Sequence, residues 1–87
     1  MITSAQYAVT DTPTKIASSA VGHRTVHIAP VGNTAVYVGN VTVTSTTGYI
    51  LDKAAGQHDT ILGPGDELYV VCASGQTETV TVLISDN

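Results

Sequence analysis

Nowhere in this chain do apolar residues recur at the 3.6-residue spacing of a helix. Apolar and small polar residues instead alternate in short runs, and turn residues interrupt them roughly every eight to twelve positions. The clearest example is Val31–Thr44, VGNTAVYVGNVTVT, where Gly-Asn pairs bracket the alternation. Thr and Val fill 26 of the 87 positions, a composition suited to a pleated, half-buried surface.

The runs that read as strands are Gln6–Thr10, Thr14–Ala17, Arg24–Ala29, Thr34–Val38, Val41–Thr44, Tyr49–Leu51, His58–Leu62, Glu67–Ala73 and Thr77–Ser85. Gly32-Asn33 offers a tight turn that tolerates positive φ. Gly63-Pro64-Gly65-Asp66 has the central Pro-Gly of a type II turn. Ser74-Gly75-Gln76 is expected to fold Glu67–Ala73 back on Thr77–Ser85 as a hairpin. With no helix to cover a sheet, the strands must bury their apolar faces against each other. The expected fold is all-β: a compact antiparallel β-sandwich of about eight short strands with no significant helix. Residues 13–87 form the sandwich domain, and 1–12 are an N-terminal arm or a first strand. The inner face is expected to carry Val26, Ile28, Val36, Val38, Val41, Val43, Leu68, Val70, Cys72, Val80, Val82 and Ile84.

The opposite faces are not uniformly polar. Tyr69 and Val71 alternate with Leu68, Val70 and Cys72, and Leu83 faces away from Val82 and Ile84. An apolar second face implies cover by another subunit or a partner. The expected interface residues are Tyr69, Val71 and Leu83 as one patch on the hairpin. Tyr37, and Ile2, Tyr7 and Val9 of a segment able to add a strand to a neighbour, join them. Charged residues are only 11% of the chain, which leaves the surface poorly defended against association.

The formal charge of −4 and the scatter of Lys15, Arg24 and Lys53 leave no basic stripe for nucleic acid. The same sign disfavours an anionic membrane, and no apolar run approaches the ~20 residues of a span. The single Cys72 excludes an intramolecular disulfide and fits a reducing compartment. The opening residues have neither the basic nor the apolar region of a signal peptide, so synthesis in a cytoplasm is expected.

Chemistry finds little purchase. His23 and His27 on one strand stand ~13 Å apart, too far to share a metal. No serine occupies a nucleophile elbow, and Gly63-Pro64-Gly65 lacks the lysine of a phosphate loop. Asp59, Asp66 and Glu67 offer a carboxylate set only if they converge. Cys72 has no cation beside it in sequence and reads as a small core residue. No enzyme, cofactor or metal is expected.

Three motifs carry a resemblance. They are Val36-Tyr37-Val38-Gly39, then Val41-Thr42 leading to Gly48-Tyr49-Ile50-Leu51, and Gly63-Pro64-Gly65-Asp66 before Leu68-Tyr69. With the closing Thr-Val segment, residues 12–85 resemble small all-β virion proteins of tailed bacteriophages, the capsid decoration and head-fibre proteins of actinobacteriophages. The resemblance implies a sandwich located on the virion surface that binds the major capsid protein and copies of itself, often as a trimer. It brings no catalytic residues. The alternative is a tail- or fibre-associated module that binds a host-surface glycan, with a cluster such as Tyr49 near Asp52, or another virion protein.

Overall fold

The computed structural model describes residues 2–19, 22–52 and 58–86. It contains eight strands: β1 Ile2–Val9, β2 Thr14–Ser18, β3 Arg24–Pro30, β4 Val36–Gly39, β5 Tyr49–Leu51, β6 His58–Leu62, β7 Glu67–Cys72 and β8 Glu78–Asp86. They form two four-stranded antiparallel sheets, A in the order β1-β8-β3-β6 and B in the order β2-β7-β4-β5. The fold is therefore an all-β sandwich, as the alternation implies.

The pairing is that of one long hairpin rolled on itself. β1 pairs β8, β2 pairs β7, β3 pairs β6 and β4 pairs β5, and rolling adds β3–β8 and β4–β7. This arrangement is the eight-stranded jelly roll. Only β4 and β5 follow each other within a sheet, so residues 40–48 are the tip of the ribbon.

That topology corrects one expectation. Glu67–Cys72 and Glu78–Asp86 do not form a hairpin, because they lie in different sheets. Gly75 has the positive φ (77°) and Gln76 donates to the Ala73 carbonyl (3.0 Å), so the local turn is as read. Its strands then diverge because β8 finds eight partners on β1 and seven on β3. The Gly63–Asp66 turn forms as expected, with Gly65 at φ 85° and Asp66 donating to the Gly63 carbonyl at 3.1 Å. Ser19 fastens that turn to the end of β2: its amide donates to Asp66 and its carbonyl accepts from Gly65. Gly32-Asn33 does not use positive φ; β3 and β4 enter different sheets there.

The core is aliphatic and lies between the sheets. It comprises Val26 and Ile28 of β3, Val36 and Val38 of β4, Leu68, Val70 and Cys72 of β7, and Val80 and Val82 of β8, all as expected. Ile84 packs against its rim. Val9, Ile16, Ala17, Leu51 and Leu62 complete it. Ile16 and Ala17 both point inward although adjacent, because the β2–β7 register shifts between Lys15 and Ala17.

Val41–Thr44 is not a strand. The Asn40 side chain accepts from the Thr42 amide (3.0 Å) and hydroxyl (2.8 Å), a local closure that competes with extended pairing. Val41 is consequently exposed, and Val43 is buried outside the main core cluster.

Candidate functional site: two unequal sandwich faces

Register and burial assign the outward rows of the described strands. On sheet B the outward residues include Lys15, Tyr69 and Gly39 in one row and Val71, Tyr37 and Ile50 in the next. The tip of the ribbon folds back over this face. Val43 packs on Gly39 and Gly48, and Gly48 lies against Tyr37. A methyl at Gly48 would stand 2.6 Å from Tyr37 Cβ and 2.7 Å from Val43 Cγ2, so glycine is required by close approach. Residues 42–45 also border a concavity with Pro13 and Val71. Sheet B thus covers much of its outer face with its own chain. What remains includes the exposed Lys15–Glu67 ion pair at 3.4 Å.

Sheet A has no such cover among the described residues. Its outward rows run across four strands: Ile2, Ser85, Thr25, Ile61; then Ser4, Leu83, His27, Asp59; then Gln6, Thr81, Ala29. Ile2 (69%), Ile61 (65%) and Leu83 (40%) are its exposed large apolar residues. Among the described residues the outward rows carry no Lys, Arg or Glu, and their ionisable pair is His27 and Asp59, with Nδ1 and Oδ1 2.6 Å apart. An open trough of about 340 Å³ crosses it, lined by Ser4, Gln6, His27, Ala29, Thr81 and Leu83 among others.

The sequence-predicted interface residues are therefore divided between the faces. Ile2 and Leu83 are exposed on sheet A. Val9 is fully buried in the core, because it closes the inward row of β1 opposite Glu78. Tyr7 is on the same inward row and packs on the core edge. Tyr37 and Tyr69 are half-buried on sheet B, and Val71, at 3% exposure, is buried on that face. Tyr69, Val71 and Leu83 do not form one patch: the first two lie on the opposite side of the sandwich from the third. Residues 2–9 form a full first strand on β8. Sequence reasoning missed Ile61, Thr81 and the His27–Asp59 pair as parts of one face. Alternation placed each on a strand, but only the β3–β6 and β3–β8 registers bring them together.

The arrangement offers little to covalent chemistry. Ser4 shares a row with His27 and Asp59, but β8 and Leu83 intervene, a separation of about 10 Å at ~4.8 Å per strand. The three carboxylates considered together are apart in function. Asp59 pairs with His27, Glu67 with Lys15, and Asp66 accepts from the Gly63 amide. Among the described residues no group of three or more His, Cys, Asp or Glu side chains converges on a metal position. Cys72 is buried, and its Sγ donates to the Val9 carbonyl at 3.5 Å. Burial, and then the carboxylates of Glu78 and Asp11, push its thiol above the ordinary value, which disfavours the nucleophilic thiolate. Tyr49 is exposed at the start of β5, three residues before Asp52.

No helix among the described residues is long and apolar enough to cross a membrane. Comparisons of the chain with protein families, curated proteins and solved structures found no match.

Proposed function

We propose that this protein is a non-enzymatic structural subunit of a tailed-phage virion, a decoration protein that seats on the outside of the head and stabilises it. The observation that carries the reading is the outer face of sheet A: four strands wide, with few charged groups among the described residues, three exposed aliphatic residues (Ile2, Ile61 and Leu83) and an open trough that Leu83 helps to line. Such a face suits a broad, preformed contact surface and not a small-molecule pocket. The jelly roll, which recurs in viral capsid domains, supports the same reading by analogy of fold. The partner is the major capsid protein. A subunit that bridges neighbouring capsid proteins binds only the assembled shell and stabilises it by mass action.

Copies of the chain also contact each other in this reading. A trimer needs two different complementary edges on each subunit, because contacts around a three-fold ring are heterologous. The one unprotected sheet edge of this fold, β1, suits a two-fold contact between copies.

The test is to mix the purified protein with undecorated heads of its phage, then measure co-sedimentation and the head melting temperature. Saturable binding with a raised melting temperature is expected. No binding and no shift sink the reading.

A further inference from the structure

The sandwich has four edge strands, and three of them are protected in recognisable ways. β2 carries Lys15 and a register shift, β5 is three residues long, and β6 carries Asp59 at its second position. β1 has none of these devices. It runs eight residues with no charge, no proline and no bulge, and its register with β8 is unbroken from Ile2↔Ser85 to Val9↔Glu78. Residues 2–6 are all exposed. In an antiparallel edge strand alternate residues turn both N–H and C=O outward, so about four of each along β1 have no strand partner among the described residues.

We propose that β1 pairs with β1 of a second copy, antiparallel about a two-fold axis at Ala5, joining two A sheets into one continuous eight-stranded sheet. The strand is self-complementary in that register. Residues directly opposite share a face, as the pleat requires. On the outer face Ser4 meets the second copy's Gln6, and Ile2 meets its Ala8. On the inner face Thr3 meets Tyr7, and Ala5 meets its own equivalent. Polar residues oppose polar ones on the outer face, and no like charges meet. Moving the axis by one residue, to Gln6, places Ser4 against Ala8 and loses this match. A two-fold contact uses the same patch on both subunits and closes, so it produces dimers and not fibres. The backbone supplies the affinity and the side-chain match supplies the register. The pairing stands on β1 alone and does not depend on the capsid reading.

The test is the solution mass of the intact protein by size-exclusion chromatography with light scattering, across a concentration series. The expected mass at high concentration is about twice the 8.9 kDa chain. Two variants probe the register at exposed positions. Ser4→Lys/Gln6→Lys sets lysines against lysines across the axis and is expected to shift the protein to monomer. Ser4→Lys/Gln6→Glu sets lysine against glutamate and is expected to remain a dimer. Circular dichroism of both variants controls for folding, and the second shows that substitution alone does not disrupt the strand. A monomeric or trimeric wild type overturns the proposal, as does an equal mass for the two variants.

Discussion

Gly48→Ala is the most informative single methyl that can be added to this molecule. The new Cβ would lie 2.6 Å from Tyr37 Cβ, 2.7 Å from Val43 Cγ2 and 3.0 Å from the Thr44 carbonyl oxygen. Carbon atoms pack at about 3.5–4.0 Å, so the methyl intrudes by about 1 Å on two sides. Tyr37 Cβ is fixed to the backbone of β4 and cannot yield, so the tip loop must lift. Overpacking of this kind costs about 1–3 kcal/mol, and we expect about 2 kcal/mol here. For a domain of this size that lowers the melting temperature by about 8–16 °C.

Val43→Ala alone should cost about 1.5 kcal/mol, for two buried methyls at about 0.8 kcal/mol each. In the double variant one of the two close carbons is gone. The combined loss should fall near 2.5 kcal/mol, about 1 kcal/mol less than additivity requires. Urea unfolding followed by circular dichroism measures all three variants. A Gly48→Ala loss below about 0.5 kcal/mol, or strict additivity, would mean that the tip does not latch onto sheet B. The asymmetry between the faces would then fail.

Three further outcomes follow from other contacts. Glu78 accepts the amides of Gly32 (3.0 Å), Thr34 (3.0 Å) and Thr79 (2.9 Å), pinning the β3–β4 crossover; Glu78→Ala should cost about 2–4 kcal/mol in urea unfolding, and Glu78→Gln less. The raised Cys72 thiol means that the folded state holds this proton more tightly than the unfolded one. Its stabilising contribution is complete below the ordinary value of 9.0 and is lost as pH rises through the higher folded value, so the wild type should lose stability above about pH 9 more steeply than Cys72→Val. Equal slopes would refute that assignment. Leu83→Lys, at a 40%-exposed position, should leave stability within about 0.5 kcal/mol yet weaken retention on heads at least tenfold.

Strand positions were legible in the sequence because alternation reports burial on one face directly. Arg24–Pro30, Tyr49–Leu51 and His58–Leu62 fall where the pattern put them, the first one residue longer. Pairing was not legible. The turn at Ser74-Gly75 is the same whether the following strand folds back or crosses to the other sheet, and contacts with β1 and β3, distant in sequence, decide it. Val41 and Val43 show a second limit. Their alternation matches a strand, but the Asn40 closure turns the backbone and sends Val43 onto the outer face of sheet B.

The candidate site shows the same division. Leu83 was recognisable as an outward apolar residue from its own strand, whereas Ile2 was legible only as part of a segment able to add a strand to a neighbour. Val71 looked identical to Leu83 by alternation and differs because a loop far along the chain covers its side of the sandwich. Ile61 joins the face only through its register opposite Thr25.

The central claim, that the outer face of sheet A is the contact surface, is tested most directly by hydroxyl-radical footprinting of the protein free and bound to heads. The account predicts strong protection of Leu83, Ile61 and His27 on binding, with Tyr49 and Ile50 on the far edge of sheet B unchanged. Protection of Tyr49 and Ile50 with Leu83 and Ile61 still fully reactive would contradict it.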